Sequence, residues 1–252
     1  MSDHEAKRSC VVVGGSSGVG RALVEQLAAA GDSVLAVARD VRDLESLQSD
    51  CQVRFGARVE VVAADLAAPG FEAVTFAEQC VAQLGHVSHL FLPVGAVDNA
   101  DRGLPSPELL ASLATVNYLR AAEVLTAFCA YFARSGGGHA MVFTSVAADA
   151  PRGHNAAYAS AKKGLEFYCR ALQHHFADSD VVVQICALGY VDTSMSFGAS
   201  LKLPVASAEQ AAQFAIRMSA TRKRFSYFPR FWSPVIMLLK ALPWSLYKRL
   251  RF

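Results

Sequence analysis

Residues 11–20 read Val11-Val12-Val13-Gly14-Gly15-Ser16-Ser17-Gly18-Val19-Gly20 and join an apolar run to a segment of helical period through a glycine-rich turn. Glycine at positions 14, 18 and 20 lets the backbone approach a pyrophosphate at the positive end of the following helix. A tight turn without any ligand has the same pattern, so the stretch alone leaves both interpretations open. Under either one, it predicts a strand, a turn and a helix in succession.

The rest of the chain continues this alternation of strand and helix. Six more short apolar runs alternate with longer segments whose apolar residues recur at helical spacing, as in βαβ units that cover both faces of a parallel sheet. We predict one α/β domain over residues 1–230, with a Rossmann-type, doubly wound, parallel seven-stranded sheet, and a C-terminal tail over residues 231–252. The predicted strands are Cys10–Val13, Val34–Ala38, Val59–Ala63, His89–Val94, Met141–Ser145, Val181–Cys186 and Phe225–Phe228. The predicted helices are a segment from Ala22 to Ala30, Phe71–Leu84, Pro107–Arg134, Asn155–Phe176 and Ala208–Ser219.

The composition is that of a compact globular protein. Of 252 residues, 53% are hydrophobic and 18% are charged, which excludes disordered, collagen-like and disulfide-stapled chains. The six cysteines are widely spaced without a CxxC pair, so we expect reduced, buried thiols and no metal site. The first ten residues lack the apolar stretch of a secretory signal, which predicts a cytoplasmic location.

Positive charge is concentrated near the C-terminal end. The formal net charge is only +2, yet no acidic residue follows Glu209. A charge confined to one segment indicates an electrostatic partner for that segment, whereas a nucleic-acid-binding protein would be basic over its body. We therefore expect no nucleic acid partner. The nine basic residues after Glu209 are Arg217, Arg222, Lys223, Arg224, Arg230, Lys240, Lys248, Arg249 and Arg251.

Four polar residues form a candidate catalytic set. Tyr158 and Lys162 lie four positions apart in a predicted helix, which puts the phenol and the ammonium on one face. A nearby cation would lower the phenol's usual pKa of about 10, although a YxxxK pair by itself usually marks a solvated helix face. Ser145 ends a predicted strand, where the alternative is a simple strand-end cap, and Asn117 lies in the preceding helix, where the alternative is a polar residue that kinks it.

These residues resemble the motifs of the short-chain dehydrogenase/reductase family. The family's TGxxxGxG loop corresponds to residues 13–20, with a valine in place of the threonine, and its Asn-Ser-Tyr-Lys set corresponds to the four polar residues above. The resemblance implies hydride transfer between nicotinamide C4 and a carbonyl carbon, with Tyr158 as general acid or base and Ser145 hydrogen-bonded to the carbonyl oxygen. It also implies that Lys162 holds the nicotinamide ribose and, with the oxidised ring, favours the phenolate of Tyr158, while Asn117 anchors a water on the proton path.

The same resemblance assigns a dinucleotide site. Arg39 follows the second predicted strand, where the family has an acid for NAD or an arginine for the additional phosphate of NADP. We expect NADP(H) to be preferred, with NAD(H) as the alternative because Asp40 lies next to Arg39. Asp65 and Leu66 resemble the family's adenine-contacting pair. The predicted cofactor-binding residues are Gly14, Ser16, Ser17, Gly18, Val19, Gly20, Arg39, Asp65, Leu66, Val94, Gly95, Tyr158, Lys162, Val191 and Thr193.

Two segments depart from the family's pattern. Ala187-Leu188-Gly189-Tyr190-Val191-Asp192-Thr193 is similar to the PGxVxT segment that meets the nicotinamide carboxamide, with Leu188 in place of proline. Leu92-Pro93-Val94-Gly95 stands where the family has NNAG after the fourth strand. Because the asparagine hydrogen bonds are lost, we expect an apolar adenine wall there, built with Val94.

The C-terminal tail combines both tryptophans with aliphatic and basic residues. A bilayer span needs about 20 apolar residues in one run, and Pro234, Lys240 and Pro243 interrupt this one. Two interpretations remain: a segment that lies at the lipid headgroups, or one that packs over the substrate cleft or a neighbouring subunit. The tail and the altered fourth strand end are similar to those of decaprenylphosphoryl-2-keto-pentose reductases, which reduce a keto sugar carried on a polyprenyl phosphate.

The predicted function is that of an NAD(P)H-dependent oxidoreductase that reduces a ketone to a secondary alcohol. Its predicted substrate is hydrophobic or lipid-linked, such as a polyprenyl-linked keto sugar. One alternative is a reductase of a soluble ketone or 3-oxoacyl thioester. The other is a non-catalytic NADP-binding sensor or scaffold. We expect substrate contacts from Ala147 to Asn155 and from Met195 to Pro204. In this family the helices around Asn117 and Tyr158 commonly pair subunits, which implies a homodimer or homotetramer, and the tail predicts peripheral contact with the inner face of a membrane.

Overall fold

A seven-stranded parallel sheet forms the centre of the molecule. The structure is a computed structural model that describes residues 7–193 and 204–250. Its strands are β1 (Ser9–Val13), β2 (Ser33–Ala38), β3 (Val59–Ala63), β4 (His89–Leu92), β5 (Gly138–Ser145), β6 (Val181–Leu188), β7 (Val191–Asp192), β8 (Ala206–Ser207) and β9 (Phe225–Phe228). The main sheet has the order β3-β2-β1-β4-β5-β6-β9 with every neighbouring pair parallel, and β7 pairs with β8 separately. The predicted fold class and its seven strands are confirmed.

Helices cover both faces of this sheet. They are α1 (Gly18–Ala29), α2 (Val41–Phe55), α3 (Ala73–Leu84), α4 (Pro107–Ala114), α5 (Ala121–Arg134), α6 (Ala156–His175), α7 (Ala208–Ser219), α8 (Trp232–Ala241) and α9 (Trp244–Tyr247). Successive side chains of a strand point to opposite faces, so Val11 packs in the core with α3, α5 and α6, and Val12 in the core with α1, α2 and α7. The six cysteines are buried and unpaired, as predicted.

The single helix predicted over Pro107–Arg134 is interrupted. It consists of α4, a π-helical segment at Thr115–Arg120 and α5. Asn117 lies in the π segment, and its side-chain amide donates to the carbonyl oxygen of Leu113, four residues earlier. Such a bond can compete with the regular backbone ladder, and Asn117 thus lies in a distorted part of its helix.

α2 is a helix that the sequence patterns did not predict. Its buried residues are confined to Leu44, Leu47 and Cys51, which leaves most of its surface polar. Residues at its two ends nevertheless favour a helix. The side chain of Asp40 accepts a backbone N–H of the first turn, and Gly56 ends the helix in the left-handed conformation.

The C-terminal segment folds back onto the domain. α8 buries Trp232 and Ile236 in a small core with Val146 and Ala150, which follow β5. A Cβ atom at Gly189 would collide with the indole of Trp232, so glycine is required where α8 meets the chain after β6. Within the described ranges, no helix is both long and apolar enough to cross a bilayer.

Candidate active site

A cavity of about 410 Å³ opens at the carboxyl ends of the parallel strands, where the strand order reverses between β1 and β4. Its volume is within the range of small-molecule sites. All of the predicted cofactor-binding residues line it, and so does Ser145. Since β2 and β5 lie on opposite sides of β1 and β4, Arg39 and Ser145 mark its two ends. The cavity therefore brings the glycine turn together with Tyr158 and Lys162.

The glycine turn leaves the N-terminus of α1 open to this cavity. α1 begins at Gly18 without a side-chain cap and without an acidic residue in its first turn, so its first N–H groups and the positive end of its dipole remain available to an anion. A Cβ atom at Gly20 would collide with the carbonyl group of Gly14, so the helix can pack on the turn only with glycine there. These donors fit a pyrophosphate.

Tyr158 is positioned through the first turn of α6. Asn155 precedes this helix with a φ of 59° and provides no side-chain cap. Asp101, from the segment after β4, acts as the cap instead: its Oδ1 accepts the N–H of Ala157 at 3.1 Å, and its Oδ2 accepts the N–H of Tyr158 at 2.9 Å. Asp101 is buried. Its carboxylate compensates the positive end of α6 and fixes the helix to a neighbouring segment of the cavity wall.

Lys162 is buried between α6 and the sheet. Its ammonium donates to the carbonyl oxygen of Val94, in the segment after β4, at 2.6 Å and to that of Phe143, near the end of β5, at 3.1 Å. Burial lowers the pKa of Lys162 to about 8. The residue is thus not part of a solvated helix face, and it joins α6 to β5 and to the segment after β4.

The phenol of Tyr158 has a raised pKa. Burial raises it, while the hydroxyl of Ser145 and the charge of Arg152 lower it in part. The ammonium of Lys162 lies 6.0 Å from the centre of the tyrosine ring and is directed to backbone carbonyls. In the chain by itself, burial outweighs the effects of Ser145 and Arg152 on this pKa. That Lys162 and the oxidised nicotinamide ring together favour the phenolate stays a prediction. At neutral pH the phenol carries its proton.

Ser145 is the last residue of β5 and lines the cavity. Its Oγ accepts the backbone N–H of Ala147 at 3.1 Å and begins a short 3-10 turn. The Ser145 hydroxyl also hydrogen-bonds the Tyr158 phenol and lowers its pKa. Ser145 is therefore both a strand-end cap and a candidate donor beside Tyr158.

Asn117 lies behind the cavity wall. Its Oδ1 accepts the N–H of Ala96 at 3.0 Å, and its Nδ2 donates to the carbonyl oxygens of Ala96 at 2.8 Å and Leu113 at 3.0 Å. The side chain thus holds the Gly95–Ala96 backbone, which lines the cavity. Both of its amide hydrogens are used within the chain, and the anchoring of a water by Asn117 on a proton path stays a prediction.

The segment in place of NNAG forms an apolar wall. β4 ends at Leu92 and not at the predicted Val94, because Pro93 has no N–H to donate to the sheet. Pro93 and Val94 line the cavity. The backbone of Val94 also supplies an acceptor for Lys162, so this wall combines apolar side chains with one bonded carbonyl.

Arg39 and Asp40 have separate roles at the end of β2. Arg39 is exposed and lines the cavity. Asp40 caps α2 by accepting the N–H of Arg42 at 2.8 Å, and the Arg42 guanidinium lies 3.5 Å from it. The negative charge of Asp40, which favoured NAD(H) at this position, is therefore compensated by Arg42 and by the first turn of α2.

Tyr190 is a polar residue of the cavity wall that the sequence reasoning missed. Its hydroxyl accepts a hydrogen bond of 3.3 Å from Arg152, which lies in the predicted substrate segment Ala147–Asn155. Its position just beyond the carboxyl end of β6, where ligands bind in such folds, could have identified it. The other predicted substrate segment, Met195–Pro204, lies outside the described residues up to Leu203. In the part of the chain that is described, no group of three or more His, Cys, Asp or Glu side chains is placed to hold a metal.

The chain matches a known protein family. Residues 8–202 match the family described as short chain dehydrogenase, which is most of the chain. The chain therefore belongs to the short-chain dehydrogenase family, a class of NAD(P)-dependent oxidoreductases. Within that family it is similar to an uncharacterized oxidoreductase of Mycobacterium tuberculosis, 27% identical over 251 residues that cover 98% of this chain and 99% of that protein.

Further relatives extend the comparison. A hydroxysteroid 11-beta-dehydrogenase 1-like protein of Xenopus tropicalis is 26% identical over 252 residues, covering 94% of this chain and 84% of that protein. A short-chain dehydrogenase from Sphingobium yanoikuyae, solved in complex with NADPH, matches with a TM-score of 0.79 at 22% identity, over 97% of this chain and 96% of that chain. A 3-oxoacyl (acyl-carrier-protein) reductase from Agrobacterium tumefaciens matches with a TM-score of 0.78 at 21% identity, over 87% and 92%. These two structural matches establish the shared fold.

Proposed function

We propose that this protein is an NADPH-preferring reductase that converts a ketone to a secondary alcohol. One observation carries the proposal: the Tyr158 phenol and the Ser145 hydroxyl line the same cavity as the glycine turn. A site for a dinucleotide thus adjoins an acid and a hydrogen-bond donor, which are the two groups that carbonyl reduction requires of the protein.

The state of the phenol supports the reductive direction. Burial raises the pKa of Tyr158, so at neutral pH the residue can donate a proton to the carbonyl oxygen as charge develops there. Ser145 stabilises that oxygen with its hydroxyl hydrogen. Lys162, held by two backbone carbonyls, positions α6 and would bind the nicotinamide ribose of the cofactor. NADPH, when bound, supplies the hydride that reduces the carbonyl carbon.

Two features support NADP(H) over NAD(H). Arg39 lines the cavity at the end of β2, without an ion pair in the described part of the chain, and its planar guanidinium can bind a phosphate through two hydrogen bonds. Asp40, the nearest acid in sequence, is engaged by the first turn of α2 and by Arg42. NAD(H) remains the second choice at this site.

A hydrophobic or lipid-linked substrate is supported by the exposed residues of α8, α9 and the segment that follows α9. They combine apolar side chains with the basic residues Lys248 and Arg249, a combination suited to an anionic lipid surface. We infer a cytoplasmic enzyme in peripheral contact with the inner face of the membrane, with a polyprenyl-linked keto sugar as the substrate that best matches the tail. The apolar side chains are Met237, Leu238, Trp244, Leu246 and Leu250.

Exposed apolar residues on another face support self-association. Phe167 on α6 is 75% exposed, and Leu119 of the π segment is 46% exposed. Leu110 on α4 is also exposed. Burying such residues between copies of the chain would favour a homodimer or homotetramer.

Ketone-dependent oxidation of NADPH tests the proposed activity. Keto sugars, lipidic ketones, soluble ketones and a 3-oxoacyl thioester are assayed with NADPH and with NADH, with and without detergent micelles. We expect turnover of a ketone with NADPH, faster than with NADH. NADPH binding without turnover of any ketone would favour the sensor or scaffold instead, and a soluble ketone or the thioester as best substrate would remove the lipid-linked assignment.

A further inference from the structure

A second cationic residue, Arg152, lies at the substrate end of the cavity. It belongs to the loop between β5 and α6, and it lines the cavity together with Asn155 and Tyr158. One terminal nitrogen of its guanidinium donates to the Tyr190 hydroxyl at 3.3 Å. Its Nε atom is buried and has no hydrogen-bond partner in the described part of the chain. The guanidinium thus has an unused donor on a ligand-facing wall.

The carboxylates near Arg152 are committed to other groups. Asp149 accepts from Lys163 at 2.8 Å, from Lys240 at 2.6 Å and from the Tyr227 hydroxyl at 2.7 Å. Asp101 accepts the backbone N–H groups at the start of α6. Residues 194–203, which lie outside the described ranges, contain no acidic residue. Arg152 is therefore without a carboxylate partner among the described residues.

A half-buried cation without a counterion is costly unless a ligand supplies one. The charge of Arg152 also acts on the phenol of Tyr158, so the two groups face a common space. Arg39, the other arginine of the cavity, lies at the far end beside β2. The two cations therefore serve different parts of the bound molecules.

We propose that Arg152 binds an oxyanion group, a carboxylate or a phosphate, on the ketone substrate and thereby selects anionic ketones over neutral ones. The inference rests on the proposed function and names its substrate class. The guanidinium provides paired N–H donors whose spacing matches two oxygens of such a group. Tyr190, bonded to the same guanidinium, fixes its orientation.

Matched pairs of ketones test this inference. A 2-keto acid is compared with its methyl ester, and dihydroxyacetone phosphate with dihydroxyacetone, each with saturating NADPH. The wild-type enzyme is expected to show a higher kcat/KM for the anionic member of at least one pair, and the pair concerned distinguishes carboxylate from phosphate. Arg152→Gln should lower kcat/KM for that anionic ketone by about 10- to 100-fold, as for a lost hydrogen bond to a charged group. Arg152→Lys should retain part of the preference.

The KM for NADPH and the ratio of kcat/KM between the two members of a pair are the internal controls. The KM for NADPH should be almost unchanged in Arg152→Gln, because the residue lies away from Arg39. The charge of Arg152 also acts on the Tyr158 phenol, but that effect is common to both members of a pair and cancels in their ratio, so a fall in the ratio reports on the oxyanion group alone. An equal loss on anionic and neutral ketones, or a loss confined to NADPH binding, would overturn the inference and leave the proposed reductase intact.

A binding measurement covers the case in which the wild-type enzyme reduces no ketone of the set. That result would count against the proposed function. Calorimetric titration with inorganic phosphate and with acetate, in the presence of NADP, would then test anion binding by Arg152 independently of turnover. Weaker anion binding in Arg152→Gln than in wild type supports the oxyanion site, whereas equal binding contradicts it. Arg152→Lys replaces the glutamine variant if the latter does not fold, as judged by circular dichroism.

Discussion

Asp101 and Tyr158 are joined by a hydrogen bond of 2.9 Å from the backbone N–H of the tyrosine to Oδ2 of the aspartate. The contact links the segment after β4 to the first turn of α6, so one carboxylate sets the position of the helix that carries both Tyr158 and Lys162. We expect Asp101→Ala to lower the free energy of unfolding by about 2 kcal/mol, because two backbone N–H groups at the helix N-terminus lose their acceptor. Urea unfolding followed by circular dichroism measures this change.

Asp178→Ala provides the matched control for this substitution. Asp178 is an exposed carboxylate after the end of α6, and its removal should change the free energy of unfolding by less than about 0.5 kcal/mol. Equal stability of the two variants would show that Asp101 does not cap α6.

Lys162 should make the stability of the fold depend on pH in the alkaline range. Burial lowers its pKa from 10.5 to about 8, so between these values the unfolded chain holds a proton that the folded chain has released. The Lys162 contribution to the free energy of unfolding should therefore rise with pH in this window, by up to about 1.4 kcal/mol per pH unit. The buried cysteines, whose pKa burial raises, give the opposite slope in every variant. Urea unfolding at two pH values within the window, for wild type and Lys162→Met, isolates the contribution of Lys162 as the difference between the two slopes. The wild-type slope should be the more positive one, and Lys248→Met, which alters an exposed lysine, should match wild type. Equal slopes in wild type and Lys162→Met would contradict the lowered pKa.

Arg39 should determine the choice of cofactor. Arg39→Gln is expected to raise the KM for NADPH by about 10- to 100-fold, through loss of a charged pair with the phosphate, and to leave the KM for NADH nearly unchanged. Steady-state assays with both cofactors measure this. Arg42→Gln is the control, since Arg42 is paired with Asp40. A parallel change in both KM values would assign Arg39 a structural role only.

The exposed surface of α8 and α9 should bind anionic lipid. We expect the protein to co-sediment with phosphatidylglycerol vesicles at low salt and less at high salt, because salt screens the basic residues. Met237→Ser with Trp244→Ser should weaken this binding by about tenfold or more, through loss of apolar side chains at the interface. Phe167→Ser, at an exposed position on α6, should not. A wild-type protein that ignores these vesicles, or equal losses in all variants, contradicts membrane contact.

The strands were predictable because their residues are apolar on both faces. Val11 and Val12 each enter a separate core, so the parallel sheet produces uninterrupted apolar runs. α2 was not predictable from apolar periodicity, since it buries only a narrow stripe. The π segment at Thr115–Arg120 contains Asn117, whose side chain bonds the backbone of Ala96. The two residues are distant in sequence, so no local pattern records their contact.

The residues of the site were more predictable than their electrostatics. The spacing of Tyr158 and Lys162 places both on one face of α6, and both line the cavity. It does not reveal that Lys162 is directed to the carbonyl oxygen of Val94, or that burial raises the pKa of Tyr158. Those properties, like the cap from Asp101, arise from tertiary packing. The unpaired donor of Arg152 is likewise visible only in the folded chain.

The most direct test of the central claim is single-turnover reduction by Tyr158→Phe, with NADPH and the best ketone from the substrate panel. The substitution removes the proton donor and keeps the ring, so NADPH should bind with an unchanged Kd. The rate of NADPH oxidation is predicted to fall by about 100- to 10,000-fold, the usual contribution of a general acid. A rate equal to that of the wild-type enzyme would show that Tyr158 is not the acid and would contradict the account.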